Sequence, residues 1–142
     1  MTELVASWLE TLRSRTAAGR SWRNVHVVRE PLNTYLRYAF EWGYANNQQA
    51  GQDIRVLSTD NSVAGRLVFE VGDFWVVDHS KIVLMHYAED GSFVGASRGA
   101  PEHFAVYAGL AEMLWESATP FFTWWSARPQ YHRDPGSVSV VE

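Results

Sequence analysis

Residues 74–87, FWVVDHSKIVLMHY, decide the fold class. Two short runs rich in β-branched and aromatic residues, Phe74–Asp78 and Ile82–Tyr87, flank His79, Ser80 and Lys81, and that spacing predicts a β-hairpin. Glu89-Asp90-Gly91 follows as a strong turn, and Phe93–Ala96 reads as a third antiparallel strand. The hairpin therefore supplies the antiparallel part of a sheet.

The residues around it alternate between helical and strand patterns. Upstream, Leu4, Val5, Trp8, Leu9 and Leu12 form a one-sided stripe over residues 3–18, with Thr2 as cap and Gly19 at the left-handed C-terminal position. A strand is expected over Trp22–Arg29. Glu30-Pro31 stops it, because proline suits the first turn of a helix. The second helix has an inner stripe of Leu32, Tyr35, Leu36, Ala39, Phe40 and Gly43 and ends near Asn46 and Asn47. Gly51 and Asp53 lead into a short strand, Ile54–Leu57. Over residues 59–72, Leu67–Val71 fits either a strand or a loop. Downstream of the hairpin, Pro101 opens a last helix with the stripe Phe104, Tyr107, Ala108, Ala111, Leu114, Trp115 and Ala118, which Pro120 ends.

Strands separated by helices favour parallel pairing, and the hairpin adds antiparallel pairing. The expectation is an α/β (α+β) fold: a mixed sheet of five or six strands with a C-terminal hairpin, covered by three main helices. Residues 1–125 are read as one domain and 126–142 as a loose tail.

Composition narrows the function classes. In 142 residues, 46% hydrophobic content is enough for a core and excludes a disordered chain. Apolar runs such as Ile82–Met85 and Val106–Leu110 are too short to cross a bilayer, and no secretion signal is expected at the N-terminus. The absence of cysteine excludes disulfides and thiolate metal sites, and a soluble, cytoplasmic protein is expected. A net charge of −4, with Lys81 the one lysine, disfavours direct nucleic-acid binding, because phosphate contacts demand a basic excess. Seven Trp, six Tyr and seven Phe fit either a heavy core or a partner surface.

Three groups of residues carry candidate chemistry. His79 and Lys81, with His86 five positions after the lysine and Gly95-Ala96-Ser97 beyond, resemble the HxKxxxxD signature of the phospholipase D superfamily. That resemblance implies His79 as nucleophile and Lys81 as phosphate ligand, but His86 stands where the family has its carboxylate. A lone motif would also need a dimer to complete the site. The simpler reading makes His79 and Lys81 polar turn residues. The second group is Arg29, Glu30, Tyr35 and Arg37 at a strand end and helix start, a common place for ligand groups. Glu30 could equally serve the helix start, with Arg29 pairing Asp73 or Asp78. On the same helix Thr34, Tyr38 and Trp42 recur every four residues. Tyr38 and Trp42 either face a partner or pack under the first helix. The third group comprises Asp73, Trp75 and Asp78 beside the hairpin. The acidic residues and the five histidines lack metal-site spacing, so neither metal nor cofactor is expected.

Arg29-Glu30-Pro31 with Tyr35 and Arg37, Gly51 with Asp53-Ile54-Arg55, Asp73-Phe74-Trp75 with Asp78, His86-Tyr87, Asp90-Gly91, and Trp115 with Ala118 and Pro120 resemble an actinobacterial domain-of-unknown-function family. The resemblance runs from about residue 7 to 122. Members are commonly encoded beside WhiJ-type helix-turn-helix regulators, some of them like toxin–antitoxin pairs. It implies a regulatory module that binds a protein partner, with a phospholipase D-like half-domain as a related fold, and it carries over no catalytic residue. A small ligand and a homodimer stay open as further expectations.

Overall fold

A computed structural model describes residues 3–59 and 63–133. Its described residues cluster into two compact units, where the sequence suggests one domain over 1–125. The first runs up to Val56 and resumes at Thr119; the second spans Leu57–Ala118. Six strands form two three-stranded sheets among these residues, not one mixed sheet. The sequence shows which segments are strands, but not that the hairpin strands pair only among themselves.

In the first unit, helix α1 (Glu3–Ala17) lays Leu9 and Leu12 against Ala50 and Trp22. Leu4, expected on the same stripe, is exposed. The expected cap Thr2 lies outside the described residues, while Gly19 takes the left-handed conformation foreseen for it (φ +85°). Strand β1 (Arg23–Val28) is followed by a helical stretch in three parts: α2 (Thr34–Tyr38), a π-helical segment Ala39–Tyr44, and α3 (Ala45–Gln49). Asn33 starts it, its side-chain oxygen accepting the Leu36 amide at 2.8 Å. The wide π turn shifts the buried stripe. Phe40, Tyr44 and Ala45 face the core, whereas Gly43 and Tyr35, both expected inside, are exposed. The helix also continues past Asn47 to Gln49.

Gly51 then turns the chain into β2 (Asp53–Ser58) at φ +118°, where a Cβ would collide with the Thr16 side chain. Only glycine meets both conditions. The Asp53 amide donates to the Trp22 carbonyl at 2.7 Å, so β1 and β2 set out side by side. Strand β6 (Thr119–Pro120) closes the order β1-β2-β6, antiparallel to β2.

Helix α6 (Phe121–Ser126), which the sequence reading missed, buries Phe121, Trp124 and Trp125. Residues 126–133, expected within a loose tail, continue into a 3-10 turn (Pro129–Tyr131) with Tyr131 buried, while 134–142 lie outside the described residues. Phe40 is the hub of this core. It is fully buried, with ring centroids of Tyr44, Phe121, Trp124 and Trp125 between 5.0 and 5.9 Å away.

The second unit contains α4 (Val63–Val71), β3 (Phe74–Val77), β4 (Lys81–Tyr87), β5 (Phe93–Arg98) and α5 (Phe104–Ser117). Residues 63–71 are helical, not strand or loop. Leu67, Val68 and Val71 fit the helical period as well as a strand run, and Gly72 at φ +88° supplies the stop. The hairpin forms as read, with Phe74 opposite Leu84 and Val77 opposite Lys81. Its sheet lies in the middle of the sequence, and among the described residues six α-helical segments, α1 to α6, form where three main helices were expected. Phe74 packs edge-on against Tyr107 of α5 at 5.0 Å, and Ile82 is buried.

Replacing Phe40 with alanine empties the centre of the aromatic core. The expected cost is about 3–5 kcal/mol, to be read as a lowered urea midpoint in the tryptophan-fluorescence transition.

Candidate functional site

The first unit gathers Arg29, Glu30, Tyr35, Arg37, Tyr38 and Trp42, in two layers with different work to do. The inner layer is a clasp. Glu30, just after β1, receives Arg128 in a two-pronged ion pair: Nε reaches Oε1 at 2.8 Å and Nη2 reaches Oε2 at 3.3 Å. The Tyr131 hydroxyl donates to the same Oε1 at 3.0 Å. The Arg128 guanidinium also lies over the Trp124 ring, 3.9 Å from its centroid, and donates to the Trp124 carbonyl. Both charged side chains are only 23% exposed, so their mutual neutralisation matters more than it would on an open surface. Burial, and then the bond to Glu30, push the Tyr131 hydroxyl above its usual range, leaving it a donor at neutral pH.

Arg37 reinforces the clasp. Its Nε donates to the Tyr131 carbonyl at 3.2 Å and its Nη2 to the Gln130 carbonyl at 3.4 Å. These carbonyls end a short helical turn and accept no backbone amide among the described residues, and the guanidinium bonds them instead. Glu30 and Arg37 therefore spend their polar groups on holding residues 128–131. The sequence could not foresee this, because their partners stand more than ninety positions away in a segment that reads as a tail.

The outer layer is aromatic. Tyr35 and Tyr38 are 76% and 66% exposed, and Trp42 is 40% exposed. Their spacing of three and then four places them along one side of the helix. Tyr38 and Trp42 stand 6.4 Å apart between ring centroids. The guanidinium of Arg133 covers one part of Trp42, 4.5 Å from its centroid, and the Arg133 amide donates to Glu41 at 3.1 Å. Of the two alternatives for Tyr38 and Trp42, packing beneath α1 gives way to this exposed ledge. The α1 contact to this helix comes instead from Trp8, whose indole N–H donates to Asn47. Arg29 is exposed nearby in the sequence.

Beneath the ledge lies His26, which the sequence reading left without a role. Its ring stacks on Tyr44 at 4.0 Å and leans on Phe40, and its Nε2 is buried with no hydrogen-bond partner among the described residues. Burial lowers its pKa from 6.5 to about 4. The histidine is thus neutral in the folded state at pH 7.

The second unit holds the other candidates. Val77 to Ser80 form a tight turn closed by the Ser80 amide on the Val77 carbonyl, with Asp78 and His79 at φ +52° and +54°. That is the mirror-image turn matching the twist of a hairpin, and Asp and His are among the residues that tolerate it. His79, Lys81 and Asp78 are exposed. His86 lies an odd number of positions from Lys81 along β4, hence on the opposite face of the sheet, where its Nε2 meets Ser97 Oγ at 2.6 Å. The HxK arrangement and the third histidine are therefore split between two faces. Burial, and then the nearby Asp73 carboxylate, push the Tyr87 hydroxyl above its usual range, and Trp75 is 38% exposed. No cluster of three or more His, Asp or Glu able to hold a metal occurs among the described residues, and none of the helices there is long and apolar enough to cross a membrane.

Comparison with known proteins gives one result. A family model described as "Domain of unknown function (DUF6879)" matches residues 2–126. No curated protein and no solved structure matches.

Two outcomes follow from the inner layer. In a double-mutant cycle with Glu30→Gln and Arg128→Gln, the pair should show a coupling of about 1–3 kcal/mol in urea unfolding; additive losses would deny the clasp. For His26, the native state resists protonation more than the unfolded state does. Stability should be unaffected above pH 6.5, fall as pH drops from 6.5 toward 4, and level off below, by on the order of 3 kcal/mol in total from this group. Comparing the urea midpoints of wild type and His26→Phe across that range isolates the effect.

Proposed function

This chain belongs to the DUF6879 family, and we propose that it is a non-enzymatic module that captures a protein partner on the aromatic ledge of Tyr35, Tyr38 and Trp42. The observation that carries the reading is the exposure of three large aromatic side chains in one line on a helix, beside a core that already buries Phe40, Phe121, Trp124 and Trp125. Aromatic groups left at the surface in a row, with an arginine at their rim, have the composition of an interface hot spot. Tyrosine and tryptophan bring large contact area with few rotatable bonds, so they lose little entropy when covered.

The partner we assign is a helix-turn-helix regulator of the WhiJ type, the kind encoded beside members of the family that the sequence resembles. The acidic balance of the chain agrees with a division of labour in which the regulator contacts DNA and this protein contacts the regulator. Toxin–antitoxin-like pairing is a special case of the same contact. Arg29 lies close enough in sequence to extend the surface, while Glu30 and Arg37 act indirectly by ordering residues 128–131.

A dimeric phosphodiesterase built on His79 and Lys81 is the weaker reading. His79 sits in an exposed turn and Lys81, also exposed, opens β4, while His86 lies on the other face of the sheet from Lys81. A nucleophilic histidine needs a neighbour to fix its tautomer, and no carboxylate pairs with His79 among the described residues.

Tyr35→Ser/Tyr38→Ser removes most of the ledge without touching the core. This variant should lose at least tenfold in affinity for the purified neighbouring regulator, a change of about 1.4 kcal/mol, while its circular dichroism and urea midpoint stay at wild-type values. Equal affinity of variant and wild type in isothermal titration would contradict the proposal.

A further inference from the structure

The edge of the second sheet, away from the aromatic ledge in sequence, ends on β5 among the described residues. The strand order β3-β4-β5 leaves β5 with one side paired to β4 and the other side open among the described residues. Gly99 donates its amide to the Ile82 carbonyl at 2.8 Å. With Leu84 opposite Ser97 and His86 opposite Gly95, alternation makes these the pairs that bond to β4. The main-chain groups of Ala96 and Arg98 therefore point the other way, off the edge. They are the unpaired donors and acceptors that invite another strand.

This edge has little of the usual protection. Phe93–Arg98 contains no proline and no lysine, and the side chains of Phe93 and Val94 are 57% and 64% exposed. The irregularity opposite His86 and Tyr87 disrupts only the start of the strand. The flanking charges have a direction. Glu89 and Asp90 precede β5 and Arg98 ends it. A second β5 running antiparallel brings each Arg98 toward the acidic turn of the other copy, whereas a parallel one would set like charges beside like.

We infer that two copies of this chain pair through β5, antiparallel about Ala96, to make a continuous six-stranded sheet. The register follows from the outward groups: Ala96 faces Ala96 of the other copy, and Val94 faces Arg98. Alanine at the two-fold lets the backbones approach, and the stem of Arg98 lies over Val94 with its guanidinium directed at the Glu89-Asp90 turn. The contact is isologous, so it closes at two copies instead of propagating.

The test is sedimentation velocity of the full chain over a concentration series. Wild type should show a reversible dimer. Ala96→Pro removes one outward amide and leaves the bonds to β4 in place, as proline on an edge permits; it should sediment as a monomer with unchanged circular dichroism. Arg98→Glu should also give a monomer, and Glu89→Arg/Arg98→Glu should restore the dimer, which a merely misfolded variant would not do. A wild-type monomer at every concentration, or a dimer indifferent to both Ala96→Pro and Arg98→Glu, overturns the inference. So does protection of the Ala96 and Arg98 amides from hydrogen exchange in a monomer, because another segment would then cover the edge.

Discussion

The Glu30 carboxylate decides the form of the first unit. Mostly withdrawn from water, it accepts two guanidinium hydrogens of Arg128 and one hydroxyl hydrogen of Tyr131, and neither partner is near it in sequence. Desolvating a carboxylate is costly, and the cost is offset only when its oxygens are fully engaged. Here they are, and the engagement fixes residues 128–131 against the start of the long helix. With that segment in place, Arg37 has carbonyls to bind, Trp124 and Trp125 have a closed core to enter, and Arg133 reaches the face of Trp42. The aromatic ledge is thus held in a defined arrangement by a polar contact on its inner side.

The second unit shows how a suggestive motif can be accounted for by backbone geometry. A hairpin needs left-handed residues at its tip, and aspartate and histidine serve there without glycine. The lysine that follows opens β4. Each residue of the HxK pattern thus has a structural task, and the alternation of the strand separates Lys81 from His86. The close approach of His86 and Ser97 is a cross-strand polar pair on an open sheet, with no third group arranged to activate it among the described residues.

Much of the fold was legible in local pattern. The stripe ending at Leu9 and Leu12, the two hairpin strands and the amphipathic helix after Pro101 each form where propensity and periodicity agree. Errors arose where the deciding contact was distant or two periods fitted equally. Leu67, Val68 and Val71 satisfy a helix as well as a strand, and only Gly72 breaks the tie. The π turn at Ala39–Tyr44 moves Gly43 outward, a phase change that no fixed period anticipates. Residues 126–133 look polar and proline-rich, yet Arg128 and Tyr131 anchor them through Glu30. The separation of the strands into two sheets depends on pairing partners, which single-strand patterns do not encode. As for the site, Tyr38 and Trp42 were visible as a repeat, while the structural duties of Glu30, Arg37 and His26 were hidden until their neighbours were known.

If the aromatic ledge captures a partner as proposed, it should disappear from solvent when that partner arrives. Hydroxyl-radical footprinting of this chain, alone and saturated with the purified helix-turn-helix regulator, measures that directly at individual side chains. The account predicts that oxidation of Tyr35, Tyr38 and Trp42 falls sharply in the complex while that of exposed residues in the second unit, such as Tyr87, holds steady. A complex in which the three ledge residues oxidise as fast as in the free protein would contradict it.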